Sequence, residues 1–274
     1  MSTESRNPRS IGLDKMAARE IVRLMNEEEQ TVLRALQSAE AEIAIAIEKA
    51  AQAFQSNGRI IYVGAGTSGR VAAMDAAEMP PTFGIESESF VAVVAGGDAA
   101  KGQAVEDAED NEHAAVVALN DLKLYPKDIV IGLAASGRTP FVIAACRHAR
   151  QKGAWTCGIA NNKNAPLFAH CDHSILLETG PEVLTGSTRL KAGTAQKLVL
   201  NRISTGAMVL SGKVIENLMV DVQAKNQKLR ERCVRILREL APVTESEAIA
   251  SLEQANWNIR EAVGLLKSGT RTGS

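Results

Sequence analysis

The apolar positions along the chain alternate between two patterns, and the changes of pattern mark its elements. Short, mainly apolar runs fall at Ile60 to Val63, Phe90 to Ala95, Asp128 to Ala134, Trp155 to Ala160 and Ser174 to Glu178. Runs of that length, rich in Val and Ile and flanked by Gly, Asn or Asp, predict buried strands. Between them the spacing relaxes to helical, predicting helices over Val71 to Ala77, Lys101 to Leu122 and Thr139 to Gln151. Ahead of the first strand, Met16, Ile21, Leu24 and Met25 predict a helix over Leu13 to Met25. A longer helix over Thr31 to Phe54 follows from Val32, Leu36, Ile43, Ile47, Ala50 and Phe54, with Asn57-Gly58 as its C-cap. Two helices before a sheet are more than the sheet needs, so they are expected to pack onto another subunit, with their own sheet as the alternative. Residues 1 to 10, polar and with a proline, are expected to be mobile.

After the fifth strand, Gly193 to Leu210 and Leu218 to Leu240 read as helices, the second with a basic run of Lys225, Lys228, Arg230, Arg232, Arg235 and Arg238 that is expected to be a solvated face. Thr244 to Lys267, turning at Asn256-Trp257-Asn258, resembles a small three-helix bundle of the ubiquitin-associated type, and 268 to 274 are expected to be disordered. Strands alternating with helices predict an α/β fold, a doubly wound five-stranded parallel sheet with N-terminal helices and a small C-terminal helical bundle. The expected division is an N-terminal helical arm (1–56), a sheet domain with its C-terminal helices (57–240), and the small module with a tail (241–274).

Charge narrows the partners. The 274 residues hold 31 Lys+Arg against 32 Asp+Glu, which gives no bulk attraction to nucleic acid or an anionic membrane, and aromatics at 3% leave few stacking platforms. Cys146, Cys157, Cys171 and Cys233 lie in no paired spacing, no secretory signal opens the chain, and no apolar run approaches the length of a membrane span. A cytoplasmic protein with reduced thiols is expected.

Candidate chemistry gathers where strands end. Arg59 to Arg70 reads RIIYVGAGTSGR: a strand breaks through Gly64, Gly66 and Gly69 into a helix start, exposing backbone N–H groups at the positive end of the helix dipole. Thr67 and Ser68 add hydroxyls suited to the terminal oxygens of a phosphate monoester. Gly64-x-Gly66-x-x-Gly69 also satisfies the dinucleotide fingerprint. However, Glu86 and Glu88 precede the second strand and Asp98 follows it late, so the acidic residue that would close that strand is missing. The strand, Ser-Gly turn and helix start recur at Ser136-Gly137-Arg138-Thr139. In a doubly wound sheet the first and third strands present such loops to one ligand at the switch point, which favours a sugar phosphate over a dinucleotide. A third loop supplies Glu182, Thr185, Ser187, Arg189 and Lys191 at the carboxyl edge of the sheet. Glu78 lies where Pro80-Pro81 should end the first helix, and Glu109 one helical turn before His113. By chemistry alone Glu109 reads as a surface acid and Glu78 as open between roles. His170-Cys171-Asp172-His173 reads as structural, because the two histidines enter a strand at odd spacing and point to opposite faces.

GAGTSGR (64–70), DAAEMPPTFG (75–84), AVEDAED (104–110), ASGRTP (135–140), EVLTGSTRLKAGTAQKLVLN (182–201) and NLMVDVQAKNQKLR (217–230) resemble N-acetylmuramic acid 6-phosphate etherases, which are sugar isomerase (SIS) domain enzymes of cell-wall recycling. The resemblance runs to about Lys267. Met79 stands where that family usually has Cys, Asp107-Ala108 replaces a common Gly-Ala pair, and an extra C-terminal helix carried by many members is missing. The resemblance implies cleavage of the lactyl ether to N-acetylglucosamine 6-phosphate and D-lactate, no metal or organic cofactor, and a homodimer. It implies Glu78 and Glu109 as catalytic residues, with Gly66, Thr67, Ser68, Ser136, Gly137, Arg138, Thr139, Glu182, Ser187 and Lys191 holding the sugar phosphate.

Two further readings stand beside it, an SIS-type aldose-ketose isomerase and a non-catalytic sugar-phosphate sensor like the glucokinase regulatory protein. Geometry adds one expectation. In a straight helix Glu78 would lie roughly 15 Å from the turn at Ser68, at about 1.5 Å per residue. That is about twice the reach from a 6-phosphate to C2 and C3. Either the helix is short and the proline loop folds back, or Glu78 serves the neighbouring subunit.

Overall fold

A computed structural model describes residues 2–103, 105, 107–224 and 226–269, with side chains placed up to residue 267. The chain opens with α1 (Ala18–Glu28), α2 (Gln30–Ser38) and α3 (Glu40–Gln55), then enters β1 (Ile60–Gly64) and α4 (Gly66–Phe83). β2 (Phe90–Val94), α5 (Ala99–Gly102), α6 (Glu112–Asp121), β3 (Ile129–Leu133), α7 (Pro140–Gln151), β4 (Trp155–Ala160) and β5 (His173–Leu176) follow. After α8 (Lys191–Leu210) come a short hairpin of β6 (Val214–Ile215) and β7 (Leu218–Met219), then α9 (Gln227–Leu240), α10 (Glu245–Gln254) and α11 (Ile259–Gly269).

β1 to β5 form one parallel sheet in the order β2-β1-β3-β4-β5. Every residue of β1 and β3 is buried, as expected for strands covered on both faces. The order reverses between β1 and β3, so the loops leaving Gly64 and Leu133, which are register partners, open side by side at the carboxyl edge. The core joins Ile61, Val63 and Val130 to Leu119 of α6 and to Phe141, Val142 and Ala145 of α7.

By contacts the chain forms two compact units. One holds the residues up to Ala77 with Glu88–Ala207; the other holds Glu78–Ser87 with the residues from Met208 on. These boundaries differ from the expected 1–56, 57–240 and 241–274. α3 contacts β1, β3 and β5, so the N-terminal helices belong with their own sheet rather than standing apart as an arm. In the second unit Cys233, Ile236 and Leu237 of α9 share one core with Leu252, Ile259 and Val263, which makes α9 the third helix of the terminal bundle.

Several elements differ from expectation for local reasons. The 31–54 helix is interrupted at Ala39 (φ −99°, ψ 10°), and the first helix runs Ala18–Glu28 after a 3₁₀ turn at Leu13–Lys15. Lys101 to Leu122 is not one helix. Gln103 is extended, Asp107 takes a left-handed conformation, and Glu109 sits in the 3₁₀ turn Ala108–Asp110. Ala104 and Glu106 lie outside the described residues. The expected helix from Leu218 starts only at Gln227, because 214–219 pair as a hairpin. Lys225 of its basic run lies outside the described residues, while Arg230 stacks over Trp257 at 5.0 Å. Residues 1 and 270–274, part of the segments expected to be mobile, also lie outside the description. The rest of the first segment is anchored: it forms 3₁₀ turns at Ser2–Glu4 and Pro8–Ser10, and Thr3 and Asn7 are buried.

Candidate active site

Three segments meet at the carboxyl edge of the sheet. The first turn leaves β1 at Gly64 and starts α4 at Gly66, which is left-handed (φ +53°) and exposed. Thr67 is half-buried and Ser68 buried. The second turn leaves β3, and Gly137 (φ +69°) allows it to fold tightly: a Cβ there would lie 2.2 Å from that of Ala165. Ser136 Oγ accepts from Arg138 N (3.1 Å), which holds the turn while Arg138 stays exposed. Thr139 is the N-cap of α7 but does not turn its hydroxyl onto that helix, and Pro140 supplies the first helical position. The third segment meets the first directly, since a Cβ built on Gly193 of α8 would stand 3.1 Å from Thr67 Cγ2. Ser187, half-buried, sits in the turn just before α8, where Leu190 N donates to its carbonyl (3.2 Å).

Two residues expected to face the sugar phosphate have architectural partners instead. Glu182 is fully buried and accepts from Lys191 N (3.0 Å) and Ala192 N (2.9 Å), so its carboxylate caps the start of α8. Burial pushes its carboxyl upward, and those two amides with the Lys191 charge pull against that. Lys191 is 2% exposed, and its Nζ donates to Glu28 Oε2 at 2.6 Å. A polar run in a loop reads as ligand-facing, but in these two cases the loop turns the residues inward to hold its own closing helix.

Glu78 lies on the exposed face of α4, and Glu109 is exposed in its 3₁₀ turn. α4 does not stop at Pro80 and Pro81 but runs unbroken to Phe83, where Gly84 N donates to Pro80 O (2.9 Å). The expected proline stop is therefore absent. Thr82 Oγ1 donates to Glu78 O at 2.7 Å, one turn back along the helix, while the carbonyls that Pro80 and Pro81 leave without an amide donor are those of Ala76 and Ala77. The Ala108–Asp110 turn packs against α7, which brings Glu109 to the helix that the second turn initiates.

Some residues that support the site carried little sequence signal. Asp75 accepts from Tyr62 Oη (3.0 Å), Asn201 Nδ2 (2.8 Å) and Ser204 Oγ (3.1 Å), pinning α4 to β1 and α8. Burial raises its carboxyl despite those three donors. Asn161 and Asn162, at the end of β4, reach the Leu177 and Ala135 carbonyls (both 2.9 Å). A polar pair closing an apolar strand was the available clue. Asp172 and His173 are engaged structurally: Asp172 accepts from Thr156 N and Oγ1, and His173 meets the Glu42 carbonyl at 2.8 Å.

The sheet order, with hydroxyl-bearing turns on both strands of the switch point, defines an SIS-type domain. Residues 103–203 match the family described as "SIS domain", and 42–150 match "Glucokinase regulatory protein N-terminal SIS domain". A phosphoheptose isomerase from Francisella tularensis shares the fold at TM-score 0.54 and 16% identity, over 70% of this chain and 98% of that one. Another from Neisseria gonorrhoeae does so at 0.51 and 22%, over 72% and 100%. In sequence the chain is 50% identical to N-acetylmuramic acid 6-phosphate etherase of Geobacillus sp. (strain WCH70), covering 97% of this chain and 90% of that protein. It is 49% identical to the etherase of Histophilus somni, over 95% and 86%. The chain belongs to the N-acetylmuramic acid 6-phosphate etherase family.

Proposed function

We propose that the protein is a carbon–oxygen lyase that cleaves the lactyl ether of N-acetylmuramic acid 6-phosphate, releasing D-lactate and leaving N-acetylglucosamine 6-phosphate. The observation that carries this is near-full-length identity of 45–50% to the eight etherases compared. The turns at Gly66–Ser68 and Ser136–Thr139, with Ser187 beside them, grip the 6-phosphate. An unactivated ether resists hydrolysis, but the open-chain sugar has an aldehyde at C1 that acidifies the C2 proton. Glu109 takes that proton, the C3–O bond breaks, and Glu78 gives its proton to the departing lactate oxygen, leaving a C2=C3 double bond conjugated with the aldehyde. Glu78, now a carboxylate, draws a proton from water as the hydroxyl adds to C3, and Glu109 returns its proton to C2. The pair must enter the cycle in opposite protonation states.

We further propose a homodimer in which Glu78 serves the partner's site. The unbroken α4 supports this, because it carries Glu78 ten residues beyond Ser68, roughly 15 Å at about 1.5 Å per residue. Exposed Val22, Leu33 and Ile45 on α1 to α3 offer apolar surface to a second copy. Among the described residues no helix is long and apolar enough to cross a membrane, and the reading places the enzyme in the cytoplasm with its substrate.

Incubation with N-acetylmuramic acid 6-phosphate in ¹⁸O-water should release lactate and place the label at C3 of the product. Binding without lactate would favour the sensor, and ketose formation the isomerase.

A further inference from the structure

The segment Ser2 to Ser10 contributes no group to the chemistry above, yet it sends two polar side chains into the interior, with Thr3 at 0% and Asn7 at 4% exposure. Asn162 spends its amide between this segment and the second phosphate turn. Its Oδ1 accepts from Ser2 Oγ (3.1 Å) and Thr3 N (3.4 Å), and its Nδ2 donates to Thr3 Oγ1 (3.0 Å) and Ala135 O (2.9 Å). The Ala135 carbonyl also accepts from Asn161 N (3.0 Å), so it is held toward the interior from two sides. A peptide bond is planar and trans, so a carbonyl fixed inward sends the N–H on the same plane the opposite way. That N–H belongs to Ser136.

A second arm reaches the third loop. Asn7 Nδ2 lies 3.3 Å from Pro181 O and 2.8 Å from Glu28 Oε2, the oxygen that also takes Lys191 Nζ at the start of α8. Arg9 closes on the other oxygen of Glu28 at 3.0 Å. Between the arms, a Cβ on Gly186 would lie 3.2 Å from Glu4 Oε2, so the tip of the third loop rests on the same segment.

We propose that Ser2–Ser10 is a positioning strap that holds the Ala135–Thr139 turn and the Pro181–Lys191 loop in their sugar-phosphate-binding conformation. The proposal rests on the sugar-phosphate reading of those loops. Loops ordered before binding lose less conformational freedom when the ligand arrives, so the strap acts on affinity rather than on the bond-breaking steps. Thr3 and Asn162 are its key positioning residues.

The test compares the full-length wild type with Thr3→Val, which keeps side-chain volume but removes the oxygen facing Asn162, with Thr3→Ser, which restores it, and with Ser2→Ala, which loses only the more exposed contact. KM and kcat are measured with N-acetylmuramic acid 6-phosphate, and the affinity for N-acetylglucosamine 6-phosphate by calorimetry. Thr3→Val should raise KM and weaken product binding by about fivefold, the value of one hydrogen bond, with kcat kept and Thr3→Ser close to wild type. Should Thr3→Val fail to fold, Ser2→Ala decides, with a smaller rise in KM expected. Unchanged KM and product affinity in the folded variants, or a fall confined to kcat, would overturn the strap while leaving the wild-type activity and the loop reading in place. A wild type that neither binds nor turns over these sugars would remove both.

Discussion

Lys191 and Glu28 meet in the interior, with 2% and 6% of their side chains exposed, and each would be costly there alone. Removing one partner of a buried ion pair leaves an uncompensated charge, so Lys191→Met should cost about 3–5 kcal/mol in a denaturant titration. Burial by itself would raise the Glu28 carboxyl. Hydrogen bonds from Lys191 and Asn7, with the charges of Lys191 and Arg9, overcome that and hold it below the ordinary range. Its contribution to stability is therefore complete above the unfolded pKa of about 4.3 and is lost as pH falls through the lower folded value. Buried Asp75 and Glu182 are shifted upward, and their protonation on acidification works the other way. The informative quantity is thus the difference in melting temperature between wild type and Glu28→Gln, which should shrink as pH drops below about 4.5. Little of this pair was legible in the sequence. Glu28 lies four residues after buried Leu24 on the inner face of α1, but nothing local shows that Lys191, 163 positions later, will meet it.

At the scale of elements, the strands were readable because a strand covered on both faces is apolar at every position, whatever its neighbours. Helix limits were not, because capping and packing decide them. α4 continues past two prolines, and the 101–122 region breaks where Asp107 turns left-handed (φ +62°). The two phosphate turns predict different sensitivities to the same substitution. Gly137→Ala adds a Cβ 2.2 Å from that of Ala165 to a positive φ, so it should lose more than about 2 kcal/mol and weaken phosphate binding. Gly66→Ala meets nothing within 4 Å and should cost only the backbone strain, about 1 kcal/mol. Chemical denaturation of the two variants side by side checks the contrast; equal losses would mean that crowding at Ala165 does not govern the second turn.

For the whole molecule, the proposed exchange of Glu78 between chains is tested by complementation. A chain carrying Glu78→Gln, inactive alone, and a chain carrying Ser68→Ala, which turns over little at substrate well below its raised KM, should regain part of the activity at that substrate concentration as a heterodimer, since one composite site then keeps both native groups. No recovery in a verified heterodimer would place Glu78 in the site of its own chain. In the same frame Ser68→Ala alone should raise KM, and Glu78→Gln alone should abolish turnover with the sugar still held.

The sequence by itself determined the α/β class, the parallel sheet, the two Ser/Gly turns and the family, because these follow from local periodicity and from contiguous motifs at strand ends. Tertiary structure decided which polar residues of those motifs face outward. Glu182 and Lys191 sit in the third candidate loop, yet one caps α8 and the other neutralises Glu28. It also decided that Thr3 and Asn7 of the polar segment Ser2–Ser10 are buried, tied to Asn162 and Glu28. The physical reason is the same in each case. A buried polar group is stable only beside its partner, and here the partners are separated by up to 174 positions along the chain.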